Sequence, residues 1–189
     1  MRIALIGSQD FGKAALEAFL ERGDEVVAVF CPPDNPKATK PEILKETALA
    51  RGLNLLQFSS LKLPEAAQAM RDSQADICVM AYVLQSVPQD LVKIPRFGTI
   101  QYHPSLLPKY RGPSAIGWSI ALGETKTGLT IFRPSDGLDE GEVILQKEAP
   151  IGPDDTLGQV YFNYLFPLGI QALLEAADLV AAGKHQEII

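Results

Sequence analysis

The feature of this 189-residue sequence that most constrains its fold is an alternation of short apolar runs with longer helical patterns. The short runs are rich in β-branched residues, as is typical of buried strands. They are RIALI at 2–6, EVVAVFC at 25–31 and DICVMA at 76–81, with a shorter candidate at 54–58. Helical patterns at 11–22, 41–51 and 64–72 separate them. Strands separated by helices predict an α/β fold, with a Rossmann-like, mostly parallel sheet and helices on both faces.

The second half of the chain predicts further elements. Strands are predicted at 98–103, 129–133 and 142–147, and helices at 88–92, 114–122 and 156–182. The last two strands flank a Gly-rich turn, and Ser114 is expected to cap its helix at the N-terminus. We expect the long final helix to be interrupted around Pro167, because proline cannot continue the helical hydrogen bonding.

Length and composition limit the class of protein. A hydrophobic content of 47% is ample for one core, so a single domain spanning 1–189 is expected. No run of about 18 apolar residues and no signal-peptide pattern is recognised, which predicts a cytoplasmic protein with no membrane partner. A net charge of −6 argues against general nucleic-acid binding. Cys31 and Cys78 lie in apolar runs and are expected to be buried thiols.

A short glycine-containing segment, GSQDFG at 7–12, follows the first predicted strand and opens the first helix. That position suits a phosphate or dinucleotide loop. The spacing, however, matches neither G-x-G-x-x-G nor G-x-x-x-x-G-K-[ST]. We therefore interpret it as a tight strand-to-helix turn and expect no nicotinamide cofactor.

The segment QYHPSLLPKYRG at 101–112 contains the first candidate for chemistry. His103 ends a predicted strand, and Pro104 and Pro108 restrict the loop behind it. Ligands of open α/β sheets bind at the carboxyl ends of strands. A histidine there can donate a hydrogen bond to a reacting carbonyl oxygen, or exchange a proton with it. The alternative is a structural histidine that is bonded within its loop.

The second candidate is the acidic turn SDGLDEGEV at 135–143. We interpret Asp136 and Glu140 as solvated turn residues. Asp139 differs, because the apolar Leu138 precedes it and Gly141 allows close approach of the chain. Its carboxylate could keep His103 protonated or accept a proton from an attacking amine or water.

The sequence favours neither a metal site nor a serine hydrolase. With two histidines in the chain, a His-rich zinc site is not expected, and a magnesium site in the acids of 136–140 is a weaker alternative. A Ser-His-Asp hydrolase is disfavoured, because Ser105 is only two residues from His103 and no G-x-S-x-G motif exists. No metal is therefore expected.

Two stretches together, HPSLLPKYRG at 103–112 and GLDEGEVILQKE at 137–148, resemble the signature loops of the 10-formyltetrahydrofolate-dependent formyltransferase family. The similarity runs from Met1 to about Ala182. The family includes methionyl-tRNA formyltransferase, glycinamide ribonucleotide formyltransferase and the N-terminal hydrolase domain of 10-formyltetrahydrofolate dehydrogenase. The segments YHPSLLP, RGPSAIGW and FNYLFPLGI are most similar to that hydrolase domain.

The resemblance implies an enzyme that moves the formyl group of 10-formyltetrahydrofolate to an amine or to water, with no metal and no nicotinamide. It implies His103 and Asp139 as catalytic residues, with Gln101 as an auxiliary donor. The implied folate-binding residues are Gln85, Ser86 and Val87, through their backbone, together with Ser105, Leu106, Leu107 and Pro108.

The sequence departs from the family pattern in two places. Many members carry Asn where this chain has Gln101, which lies on the same strand face as His103 and keeps hydrolysis open. Longer members continue into a C-terminal subdomain, which we expect this chain to lack. Capture of tRNA is therefore not expected, although a further domain could follow Ile189. A methionyl-tRNA formyltransferase core, a sugar-nucleotide formyltransferase and a non-catalytic folate-binding module remain alternatives. The acceptor and the oligomeric state are not readable from the sequence.

Overall fold

A computed structural model describes residues 1–185 and divides the chain into two units, Met1–Thr99 and the residues from Ile100 onward. The expected end of the core at Ile189 lies outside the described residues.

The first unit is built on parallel strands. These are β1 (Arg2–Gly7), β2 (Glu25–Phe30), β3 (Leu55–Leu56) and β4 (Ile77–Ala81). The helices are α1 (Gln9–Glu21), α2 (Ile43–Ala50), α3 (Pro64–Ser73) and α4 (Gln89–Val92). The strands lie side by side in the order β3-β2-β1-β4, and each neighbouring pair is parallel. Parallel neighbours need a crossover between them, and α1 supplies it from β1 to β2 and α2 from β2 to β3.

Helices cover both faces of this parallel sheet because successive strand residues point to opposite sides. On one face, Ala4 and Ile6 of β1 belong to a buried cluster with Met70 of α3 and Leu91 of α4. On the other face, α1 contacts β1, β2, β4 and α2 through a buried stripe that includes Phe11, Leu16 and Phe19. The predicted α/β class, with helices on both faces of a parallel sheet, is confirmed in this unit.

The second unit combines antiparallel strands with the C-terminal helices. The strands are β5 (Thr99–His103), which starts at the boundary, β6 (Lys126–Pro134) and β7 (Gly141–Pro150). The helical elements are α5 (Ala115–Ala121), α6 (Leu157–Val160), a π-helical turn (Tyr161–Leu165) and α7 (Phe166–Ala182). β6 pairs antiparallel with both β5 and β7, so the predicted pair of strands around a Gly-rich turn is confirmed as a hairpin longer than expected.

Gly141 is required where this hairpin closes. Its φ is +145°, and a Cβ placed there would lie 1.7 Å from the carbonyl oxygen of Arg133. Any other residue would force the backbone of Arg133 to move. The prediction that Gly141 allows close approach of the chain is therefore confirmed.

Two expectations about the second unit's helices need correction. Ser114 precedes α5 as predicted, but it lies in the left-handed region (φ 63°) and its side chain makes no capping hydrogen bond. We expected no stretch long and apolar enough to cross a membrane. The helical segment Leu157–Ala182 meets that criterion, by length and composition alone. The buried residues of α7 lie mostly along one face, and α7 contacts β6 and β7, as a core helix of a globular protein does.

The predicted interruption of the last helix is confirmed. The π-helical turn ends at Leu165, two residues before Pro167. Proline lacks an N–H, and its ring crowds the carbonyl four residues earlier, which accounts for the wider turn. The Tyr102 hydroxyl donates to the Leu165 carbonyl oxygen over 3.1 Å and so fastens this turn to β5.

The two cysteines are buried free thiols, as predicted. Burial is the largest cause that raises the pKa of both thiols to about 12. Both therefore remain protonated and unreactive at neutral pH.

Candidate active site

His103 lies at the last position of β5, opposite Thr130 of β6, and only 6% of its surface is exposed. Its Nε2 atom is 2.8 Å from the carbonyl oxygen of Tyr110. A carbonyl oxygen can only accept a hydrogen bond, so Nε2 carries a proton. The backbone of the following loop thus fixes both the orientation and one protonation site of the ring.

Asp139 lies beside the other nitrogen of this ring. Its Oδ2 atom is 3.4 Å from His103 Nδ1 and accepts a hydrogen bond from the Gly112 amide over 2.7 Å. The His–Asp distance exceeds that of an ordinary N–H···O bond, so the two groups are electrostatic neighbours. The structure brings together the two residues that the sequence singled out.

The apolar Leu138 does not explain the position of Asp139, contrary to expectation. Leu138 does not bury the turn, because 68% of its own surface is exposed. The Asp139 carboxylate is held instead by the Gly112 amide, and Asp139 itself adopts the left-handed conformation (φ 44°). Asp136 and Glu140 are exposed, as expected for solvated turn residues.

Residues 110–112 therefore hold both candidate catalytic side chains through main-chain atoms. Tyr110 contributes its carbonyl oxygen to His103, and Gly112 contributes its N–H to Asp139. Both residues have positive φ, 55° and 83°. Sequence reasoning missed this role, and the only signal for it was the glycine that ends KYRG.

The loop at 105–108 is fixed by a buried polar network. Thr130 Oγ1 donates to the Ser105 carbonyl oxygen over 2.7 Å and accepts from the Leu107 N–H over 3.1 Å. Gln146 Nε2 donates to the Leu107 carbonyl oxygen and to Thr130 Oγ1, each over 2.9 Å. The fully buried Ser105 hydroxyl donates to the Lys109 carbonyl oxygen. Ser105 therefore shapes the loop from within.

The apolar members of this loop differ in exposure. Leu107 is buried, Leu106 is half-buried and Pro108 is exposed. Leu106 packs so closely on Gly128 that a Cβ on that glycine would lie 2.5 Å from its Cδ2. Thr130 and Gln146 were not predicted as supporting residues. The sequence contains one indication of this role: Thr130 and Gln146 are polar residues within apolar stretches of β6 and β7. The two residues pair across the hairpin.

Gln101 lies two residues before His103 on the same face of β5 and pairs with Phe132 across β6. Its side chain is half-buried and makes no hydrogen bond with any of residues 1–185. The amide is therefore free to donate to a group next to His103.

Gln85, Ser86 and Val87 belong to the first unit, in the loop that follows β4. Gln85 Nε2 donates to the Phe58 carbonyl oxygen over 2.9 Å, and Val87 packs on the buried cluster of that unit. Ser86 is exposed. The side chains of Gln85 and Val87 anchor the loop, which leaves its backbone as the part that a ligand could contact.

The segment 7–12 is a strand-to-helix turn in which several hydrogen-bond donors already have acceptors within the chain. A Cβ on Gly7 would lie 2.4 Å from the Ala81 carbonyl oxygen, so β1 and β4 approach closely here. The Glu42 carboxylate accepts from the Gln9 N–H over 2.6 Å and from the buried Ser8 hydroxyl. An internal carboxylate thus takes two of the donors that a phosphate at this turn could use. This supports our interpretation of the segment as a structural turn.

The magnesium alternative finds no cluster to support it. Within residues 1–185, no group of three or more His, Cys, Asp or Glu side chains is arranged to hold a metal ion. Glu140 instead turns back to accept a hydrogen bond from the Ser135 hydroxyl over 3.0 Å.

Comparison with known proteins gives consistent matches. The formyl transferase family matches residues 1–176. The mitochondrial 10-formyltetrahydrofolate dehydrogenase of Mus musculus is 38% identical over 97% of this chain, which spans 20% of that protein. The methionyl-tRNA formyltransferase of Geotalea uraniireducens is 36% identical over 97% of the chain and 60% of its own length. The chain thus spans about a fifth of the dehydrogenases that it matches.

The fold is also that of a solved transformylase. A crystal structure of glycinamide ribonucleotide transformylase 1 from Symbiobacterium toebii aligns with a TM-score of 0.81 and 23% identity. The alignment covers 97% of this chain and 88% of that one. The family match covers most of the chain, including both signature loops, and the chain is therefore a member of the formyl transferase family.

Proposed function

We propose that this chain is a one-carbon enzyme that takes the formyl group from 10-formyltetrahydrofolate and transfers it to an amine or to water. The observation that carries the proposal is the His103–Asp139 pair, with Nδ1 and Oδ2 3.4 Å apart and each side chain held by a main-chain atom. Such fixed groups suit a reaction in which negative charge develops on a carbonyl oxygen.

In the proposed reaction, the amine or water attacks the formyl carbon and a tetrahedral intermediate forms. Both ring nitrogens of His103 face oxygen atoms, Nε2 the Tyr110 carbonyl and Nδ1 the Asp139 carboxylate. With Nε2 held by Tyr110, the proton on Nδ1 stabilises the oxyanion. Asp139 takes the proton that the nucleophile loses. The oxyanion then collapses and the bond between the formyl carbon and N10 breaks. His103 gives its Nδ1 proton to N10 as tetrahydrofolate leaves, and Asp139 returns the nucleophile's proton to the ring.

Gln101 has an auxiliary role in this proposal. Its unoccupied amide lies on the His103 face of β5 and donates a second hydrogen bond to the oxyanion. The glutamine side chain is one methylene longer than asparagine, so this donor is less tightly fixed. We therefore propose that water competes with amines as the acceptor more effectively than it does when asparagine stands there.

The donor is proposed to bind through the two loops named from the sequence. Residues 105–108 present Leu106 and Pro108 on a loop that Thr130 and Gln146 hold rigid. Residues 85–87 present backbone groups to the pterin ring. The donor is a substrate, and no metal or nicotinamide is part of the proposed reaction.

Three other functions are narrower or weaker proposals. A methionyl-tRNA formyltransferase core is favoured by the 36% identity, but the net charge of −6 argues against tRNA capture. A sugar-nucleotide formyltransferase would need a nucleotide loop that the sequence does not provide. A folate-binding module without turnover would follow if Gln101 cannot replace asparagine. We propose a cytoplasmic location; the relatives include cytosolic and mitochondrial proteins.

The test is turnover of 10-formyltetrahydrofolate, measured by the absorbance of the deformylated folate, with and without added amines. Release with water alone supports a hydrolase, and release only with an amine supports a transferase and names its acceptor class. Folate binding without release from either would overturn the proposed enzyme and leave the binding module. The His103→Ala and Asp139→Asn variants serve as controls for catalysis at this site.

A further inference from the structure

A side chain outside the candidate active site holds the residue that orients His103. The Tyr110 hydroxyl donates to Glu124 Oε1 over 2.7 Å, and Lys109 Nζ lies 3.4 Å from the same oxygen. Glu124 follows α5, and its own N–H donates to the Ser119 carbonyl oxygen of that helix. The aromatic ring of Tyr110 is thus tied to the end of α5.

The backbone of Tyr110 is under strain that this contact helps to maintain. A φ of 55° is rare for a bulky residue, and such conformations persist only where the surroundings enforce them. The carbonyl oxygen of the same residue accepts the hydrogen bond from His103 Nε2–H. The direction of that carbonyl depends on the peptide plane of Tyr110, so an unanchored ring would let the acceptor of His103 turn away.

The electrostatics of the contact favour its persistence at neutral pH. The hydrogen bond from Tyr110, and then the charge of Lys109, lower the pKa of Glu124. The same hydrogen bond raises the pKa of Tyr110. A neutral phenol thus donates to an ionised carboxylate, and hydrogen bonds of that kind are stronger than neutral ones.

We propose that Glu124 is a positioning residue for His103: it anchors the ring of Tyr110 and thereby fixes the carbonyl oxygen that orients the imidazole. Because Gly112, two residues later, holds Asp139, the same anchor also sets the relation between the two catalytic side chains. The kinetic part of this inference rests on the proposed function, whereas the orientation of His103 does not.

The kinetic test is a double-mutant cycle with Tyr110→Phe, Glu124→Ala and the double variant. Each single variant removes the same hydrogen bond, so each should lower kcat about tenfold, and the double variant should lower it no further. The KM for the folate donor should change less than about twofold, because the loop at 105–108 has its own support. Glu124→Gln keeps an acceptor oxygen and should retain most of the activity.

A matched control separates positioning from general stability. Glu148→Ala removes an exposed ion pair elsewhere in the same unit, in which Lys126 Nζ lies 2.7 Å from Glu148 Oε1. It should leave kcat unchanged. If the cycle variants lowered only the melting temperature, with kcat and KM as in the wild type, Glu124 would be structural and the inference would be overturned. Strictly additive losses in kcat would overturn it as well.

A spectroscopic test needs no turnover. The chain has two histidines, so the imidazole ¹⁵N spectrum contains two residues, and His103→Gln assigns them. In the wild type, the His103 Nε2 resonance should report a fixed N–H. In Tyr110→Phe and Glu124→Ala it should shift toward a mixture of tautomers, while Glu148→Ala leaves it in place. Unchanged His103 resonances in both variants would refute the anchor, even if the wild type proves inactive on folate.

Discussion

Replacing Thr130 by valine tests the polar network behind the loop at 105–108. The side chains have nearly the same shape, and Thr130 is fully buried, so the change removes a hydroxyl without opening a cavity. The Ser105 carbonyl oxygen loses its donor, and the Leu107 N–H loses its acceptor. A buried polar group left without a partner costs about 1–3 kcal/mol. We therefore expect the free energy of unfolding to fall by about 2–4 kcal/mol.

The matched control is Thr127→Val on the same strand. Thr127 is also buried, at 3% exposure, but its side chain makes no hydrogen bond with any residue in the described part of the chain. Urea unfolding followed by circular dichroism gives the free energies of both variants. A loss of 2–4 kcal/mol corresponds to a melting temperature lower by roughly 5–15 °C in a chain of this size.

The functional readout follows from the same geometry. A loop that loses two of its hydrogen bonds should bind the folate donor more weakly, so KM should rise more than kcat falls. Equal destabilisation by Thr130→Val and Thr127→Val, or a loss below about 0.5 kcal/mol at Thr130, would refute the reasoning that this network holds the loop.

Three further predictions address the site and the hairpin. His103→Ala should lower turnover about a hundred- to thousand-fold, measured by folate product release, because an oxyanion donor is lost; near wild-type turnover would contradict its assignment. Gln101→Asn should raise the ratio of amine-dependent to water-dependent release, and an unchanged ratio would exclude Gln101 as the cause of any hydrolysis. Gly141→Ala should unfold or rearrange the β6–β7 hairpin in thermal melts, since its Cβ would overlap the Arg133 carbonyl oxygen. Gly158→Ala, whose Cβ would meet nothing closer than 3.9 Å, should be mild.

A pH prediction follows from the lowered pKa of Glu124. A carboxyl whose pKa is depressed by folding contributes stability that is complete above its usual value of 4.5 and is lost as the pH falls through the lower folded value. Wild-type protein should therefore lose stability on acidification below about pH 4.5 more steeply than Glu124→Gln. Parallel acid-unfolding curves for the two proteins would contradict the coupling to Tyr110.

The sequence predicts most of the fold because strand and helix periodicities are local. The apolar run at 76–81 predicts a buried strand, and the structure has one there. Pro167 predicts a break in the last helix, and the structure has a π-helical turn just before it. The Ser114 cap was wrong because a capping hydrogen bond depends on backbone angles that residue type alone does not set. The apolar length of the final helical segment was missed because glycine, proline and acidic residues interrupt it.

The sequence predicts the side chains of the candidate site but not the main-chain groups that hold them. His103 and Asp139 could be picked out by residue type and by their place at the end of a strand and in a turn. The groups that hold them, the Tyr110 carbonyl and the Gly112 N–H, are main-chain atoms that every such residue possesses. Glu42 accepts the hydrogen bond from Ser8 in the turn after β1 but lies 34 residues away in the sequence, so no local pattern predicts this contact.

The main-chain support at 110–112 has an evolutionary consequence. A carbonyl oxygen persists through any substitution, and an N–H through any except proline. A substitution here therefore acts on the two candidate catalytic side chains through the backbone conformation that it allows and, at Tyr110, through the loss of the ring that Glu124 anchors. Arg111, which lies between the two supporting residues, is free to vary in this respect. The site is instead sensitive to changes of backbone conformation at Gly112, whose φ of 83° favours glycine. The orientation of the pair thus depends on the backbone conformation at 110–112, which Gly112 and the anchored ring of Tyr110 maintain.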